Sequence, residues 1–103
     1  MPTSLTLDTS HHGGNMILRA AGEIDLSNID AFKQALTSSA AEAAAGGVPL
    51  TVDLAAIEYL DSAAINVLYS QADRIRLIAN PLLMRGLAIS GLSELLTIDS
   101  PPR

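Results

Sequence analysis

Few residues in this 103-residue chain could do chemistry, and Ser62 stands first among them. It follows Asp61, and the apolar residues Ile65 and Leu68 come after it at helical spacing, so its hydroxyl stands at a helix start. A serine there is suited to three tasks. It can cap the helix by accepting an orphan backbone N–H. It can attack as a nucleophile if a base takes its proton. It can also carry a phosphate, which adds about −1.5 to −2 charge and considerable bulk. The helix dipole would tolerate that anion locally, whereas Asp61 and any acidic or closely packed partner would oppose it. A phosphate at Ser62 could therefore break an interface without unfolding the domain.

A second group of candidates lies in "GEID", residues Gly22 to Asp25. Glu23 and Asp25 alternate and share one side of an extended chain. Asp25 either closes an Asx-type turn or offers a carboxylate to a partner arginine. Ser27 reads as the cap of the helix that follows, with Asp30 in the capping-box position. Asp53 reads as satisfying backbone groups after a buried strand. Glu58 and Tyr59 read as a loop before Asp61, either simply solvated or rimming a site.

The remaining candidates point away from catalysis. His11 and His12 are the only histidines, and there is no cysteine. Neighbouring strand residues face opposite sides, so the pair cannot begin a metal site, and no metal is expected. No histidine lies near Ser62 in sequence to act as its base. Phosphate-cradling glycine motifs are absent as well, so no cofactor is expected and no catalytic residue is assigned.

Composition narrows the classes further. Hydrophobic residues make up 49% and aromatic ones 3%, which gives an aliphatic core. The formal charge is −5 and Lys33 is the only lysine, so nothing could neutralise a run of nucleic-acid phosphates. No apolar stretch approaches the roughly 18–20 residues of a membrane span. No basic-then-apolar leader opens the chain. These features lead us to expect a cytoplasmic domain without membrane or nucleic-acid partners, and they are compatible with a monomer or a homodimer.

The elements that must position these residues are legible from periodicity. Ser4–Asp8 and Met16–Ala21 read as strands around a Gly13-Gly14 turn. Ile29, Phe32 and Leu36 recur at helical spacing, the alanine-rich "AAEAAA" continues that helix, and Gly46-Gly47 ends it. Pro49–Leu54 reads as a buried strand, and residues 63–72 as a second helix with Ile65, Leu68 and Ala72 on one face. Arg74–Ala79 alternates as a strand. Asn80-Pro81 opens a third helix that Gly91 closes, and "LSELLTI" adds a last helical turn or edge strand. The fold class expected is α/β: a single small domain with a mixed four- to five-stranded sheet and helices packed on one face. It occupies residues 1–98, with 99–103 as a tail.

This order, with "GEID", "TVDLAAIEYLDSAAINVL" and "NPLLMRGLAISGLSELL", resembles the STAS domain of the anti-sigma factor antagonists, from about Leu5 to Ile98. The resemblance implies a non-enzymatic, bacterial regulator of transcription. Such a protein binds an anti-sigma factor that is also a serine kinase, and so frees a sigma factor. It implies phosphorylation at Ser62, which ends that binding, and partner contacts at Asp25 and Asp61, with Glu23, Ala63 and Ala64 beside them. The chain departs from the family at one point. The usual Asp-Ser-Ser/Thr-Gly is here Asp61-Ser62-Ala63-Ala64, without the second hydroxyl and the glycine. Two other roles on the same fold are a STAS accessory subunit of an ABC-type lipid transporter and an unswitched scaffold. A small hydrolase or nucleotide-binding protein is the alternative of a different class.

Overall fold

Gly13 and Gly14 have φ of 54° and 84°, and a two-residue turn with both angles positive has a twist that matches the strands it joins. The turn closes a hairpin between β1 (Leu5–His12) and β2 (Asn15–Ile24). His11 and His12 are thus the last two residues of β1. Their register partners are Met16 and Asn15. The computed structural model describes residues 4–83, 91 and 98–99.

Helix α1 (Ile29–Gly46) follows, burying Phe32, Leu36, Ala40 and Ala43, and Gly47 closes it in the left-handed conformation. The alanine-rich segment is thus its last turns, as its propensity predicts. Strand β3 (Leu50–Leu60), helix α2 (Ser62–Ser70), strand β4 (Ile75–Ala79) and strand β5 (Ile98–Asp99) complete the described elements. The strands lie in the order β1-β2-β3-β4-β5. Only the opening hairpin is antiparallel. Successive parallel steps in one direction, each crossing over with the usual right hand, put α1 and α2 on the same face. Beneath them lie Met16, Leu18, Val52, Leu54 and Leu77, all inside the core. The expected mixed sheet with helices on one face is what forms.

Besides β1 and β2, which run on to His12 and Ile24 rather than ending at Asp8 and Ala21, three boundaries differ from the sequence reading. β3 runs six residues past Leu54, so Glu58 and Tyr59 are strand residues rather than loop. Register shifts between β2 and β3 explain why the pattern misleads. Each inserts an extra residue on β3, so the inward side switches from Leu54 to Ile57 and the alternation breaks although the pairing continues. Asp53 serves the backbone beside the first shift, its Oδ1 accepting the Ala55 N–H at 2.9 Å.

The second difference is that α2 begins at Ser62, one residue early, and ends at Ser70. The third concerns the tail: Asp99 pairs with Ile78 in β5, and its carboxylate lies 3.5 Å from Arg76. The expected third helix does open after Asn80, whose Oδ1 accepts the Leu82 N–H at 3.0 Å, with Pro81 at the first position. Its continuation and the "LSELL" segment lie outside the described residues.

Candidate functional site

The C-terminal ends of β2 and β3 bring the two acidic motifs side by side. Glu23 is in register with Tyr59 and Ile24 with Leu60. The Asp61 N–H then donates to the Ile24 carbonyl at 3.3 Å, extending the pairing by one step. Asp25 and Ser62 are the next residues out on each side, although 37 positions separate them in sequence.

Gly22 holds this corner. Its φ is 110°, and a Cβ there would lie 2.2 Å from the Ser4 carbonyl oxygen. That oxygen accepts the Glu23 N–H at 3.0 Å, so β1 presses on β2 where "GEID" begins. Only glycine fits both the angle and the close approach.

The loop after Asp25 is held by its own polar groups. The Asp25 N–H donates to Asn28 Oδ1 at 3.0 Å, and Asn28 Nδ2 donates to the Glu23 carbonyl at 2.9 Å. Asp25 Oδ1 accepts both the N–H and the hydroxyl of Ser27. The sequence assigned the helix cap to Ser27, but Asn28 occupies that position and Ser27 is spent on Asp25. The reason is competition: a serine two residues after an aspartate finds an Asx-type acceptor closer than the helix end. Asn28 is the functional residue that the sequence reading missed. Its type, a turn-favouring amide just before the apolar helical run, was the available signal.

At the other motif the cap is Asp61. It is extended (φ −103°, ψ −177°), and its Oδ1 accepts the Ala64 N–H at 3.2 Å. Ser62 is then the first helical residue, and it is exposed. The hydroxyl is not consumed as a cap, which leaves it available for modification. Ala63 is half-buried beside it. Ala64 is fully buried, so its methyl faces the core and cannot be the partner contact expected of it. Glu23 is exposed, whereas Asp25 and Asp61 are half-buried.

The histidines lie elsewhere. They flank the hairpin turn, and the whole of β2, about 30 Å at ~3.3 Å per residue, separates that turn from Asp25. His11 Nε2 lies 3.4 Å from Glu42 on α1. No histidine stands near Ser62 to act as a base. Among the described residues, no helix is long and apolar enough to cross a membrane.

Comparison with known proteins gives the lineage. The family model described as "Mlab, STAS domain" matches residues 7–98. The chain belongs to the STAS family. This STAS domain is 31% identical over 74 residues to the anti-sigma-F factor antagonist RsfB of Mycobacterium tuberculosis, a match covering 72% of the chain and 58% of RsfB. It is 33% identical over 73 residues to the antagonist RsfA of the same organism, covering 71% of the chain and 56% of RsfA. The chain thus spans little more than half the length of these two relatives. Among solved structures, an anti-sigma factor antagonist from Mycobacterium paratuberculosis matches with a TM-score of 0.82 at 25% identity, over 93% of this chain and 86% of that one. Unphosphorylated SpoIIAA matches with a TM-score of 0.71 at 12% identity, over 95% and 90%. The SpoIIAA match bears on the fold alone.

Proposed function

We propose that this STAS domain is an anti-anti-sigma factor. It sequesters an anti-sigma factor of the serine-kinase type, is released when Ser62 is phosphorylated, and so controls sigma-factor-dependent transcription. It acts by binding, not by catalysis. The docking surface joins Glu23 and Asp25 to Asp61, Ser62 and Ala63. The relatives named as anti-sigma factor antagonists support the reading, and one observation carries it. Asp61 takes the capping role, so Ser62 holds an exposed hydroxyl one residue inside the helix and beside the Asp25 loop.

The switch follows from charge. A phosphate on Ser62 gains from the α2 dipole, so the domain itself stays folded. The same phosphate sits beside Asp61 and near Asp25, where it adds about −1.5 to −2 charge to a surface already negative. A partner packed closely against the bare serine then meets the phosphate's bulk and the cost of burying its charge at the centre of contact. The missing second hydroxyl at Ala63 leaves Ser62 as the acceptor in this motif.

The test is binding of the anti-sigma kinase from the native host to wild type, Ser62→Ala and Ser62→Glu. Wild type and Ser62→Ala are expected to bind alike, and Ser62→Glu at least tenfold more weakly, about 1.4 kcal/mol. Equal binding by all three would remove the switch. The Ala63-Ala64 departure from the usual motif favours a second reading, as the STAS accessory subunit of an ABC-type lipid transporter. That role predicts constitutive co-purification with an ATPase, unchanged by Ser62→Glu.

A further inference from the structure

Three large apolar side chains stand out of this fold among the described residues: Leu26 at 77% exposure, Tyr59 at 49% and Leu82 at 80%. Single exposed leucines are ordinary, but grouped ones mark contact surfaces. These three occupy the ends of three neighbouring strands. Leu26 follows β2, and Tyr59 stands near the end of β3 in register with Glu23. Leu82 follows β4, and Asn80 ties its turn to β3 by donating from Nδ2 to the Ile57 carbonyl at 3.4 Å. Neighbouring strands are about 4.8 Å apart, so the three ends span only about 10 Å. Ser62 follows the end of β3, the strand between those that lead to Leu26 and Leu82.

The turns carrying the two leucines are tied down. The backbone on both sides of Leu26 is held by the bonds of Asp25, Ser27 and Asn28, and the Leu82 N–H is bound to Asn80 Oδ1. Each leucine is thus an exposed side chain on a fixed backbone, which loses little conformational freedom on docking. Charge adds a second, independent constraint. No lysine or arginine occurs between Arg19 and Lys33, or between Lys33 and Arg74. The ends of β2 and β3 accordingly carry Glu23, Asp25, Glu58 and Asp61 with no cation among them.

We propose that Leu26, Tyr59 and Leu82 are the apolar anchors of the docking surface, and that the protein partner meets them with an apolar patch edged by arginine or lysine. Aromatic and aliphatic side chains at the centre of a contact carry most of its energy, while charged rims set orientation and encounter rate. The proposal rests on the binding role given above but goes beyond it, because it moves the main affinity from the Asp61-Ser62 motif to these three apolar side chains. It also extends the surface across β4 to the start of the third helix.

The experiment measures affinity for two purified host proteins, the anti-sigma kinase and the transporter ATPase. It compares wild type, Leu26→Ser, Tyr59→Ser, Leu82→Ser, Ser62→Glu and, as an exposed control on α1, Ala41→Ser. Leu26 and Leu82 are mostly exposed, so thermal unfolding should place their variants close to wild type; half-buried Tyr59 should lose more, and its affinity is read well below its melting temperature. Each anchor variant is expected to lose at least about tenfold in affinity for whichever protein binds, and Ala41→Ser nothing. Affinity should also fall as salt rises from 0.05 to 0.5 M. Wild-type affinity in the three anchor variants, with Ser62→Glu weakened, would overturn the anchors and leave the switch standing. Weak anchor variants with an unaffected Ser62→Glu would uphold the anchors and overturn the switch. Affinity indifferent to salt would overturn the cationic edge, and binding to neither protein would overturn both proposals.

Discussion

The Asp61 N–H reaches across to the Ile24 carbonyl at 3.3 Å, one step beyond the last strand pair. That single bond sets the Asp25 loop against the start of α2. It turns two acidic motifs remote in sequence into one surface, and four consequences of this arrangement can be measured.

Asp61 and Ser62 should separate cleanly in stability. Asp61→Ala removes the side-chain acceptor of the Ala64 N–H and should cost about 1 kcal/mol in urea unfolding. Ser62→Ala touches no cap and should stay within about 0.5 kcal/mol of wild type. If Ser62→Ala were the more damaging, the assignment of the cap to Asp61 would be wrong.

Gly22→Ala should be severe. The added methyl meets the Ser4 carbonyl oxygen at 2.2 Å, and the backbone angle of 110° is strained for any other residue. A loss of at least about 2 kcal/mol is expected, with the β1 edge loosened first. Amide exchange along Leu5–Asp8 is the direct check, and unchanged protection there would count against the contact.

Ala64→Gly restores the glycine usual in the family at this position, yet here it should destabilise. Ala64 is fully buried in the first turn of α2. Losing its methyl and gaining backbone freedom should cost about 1.5–2 kcal/mol. Partner affinity should change little, since the methyl faces inward. Calorimetry and binding on the same sample read both effects.

Asn28→Ala should act at a distance. Asn28 clasps the Asp25 N–H and the Glu23 carbonyl, so its loss frees the loop that carries Asp25 and Leu26. A stability cost of about 1–2 kcal/mol is expected, with weaker partner binding although Asn28 itself need not touch the partner. Asn28→Asp restores only the acceptor and should recover part of the binding.

Much of this was legible in the residues alone. Periodicity marked the apolar face of α1, the two glycines of the hairpin turn and the Asn80-Pro81 helix start, because each depends on neighbours within a few positions. The motifs at Asp25 and Asp61-Ser62 were visible too, and so was the lineage they carry. Other features were not. Which of Asp61 and Ser62 caps α2, and which of Ser27 and Asn28 stands before α1, turns on competition between hydrogen-bond partners of nearly equal reach. The extra residues in β3 break the alternation that sequence reading depends on, and only pairing with β2 reveals that the strand continues to Leu60. The inward methyl of Ala64 and the outward side chains of Leu26, Tyr59 and Leu82 were equally closed to inspection. Burial is a property of what packs opposite, and for these residues the opposing elements come from elsewhere in the chain. Local physics thus determined the elements and the candidate serine, and tertiary contact decided which of its neighbours face a partner.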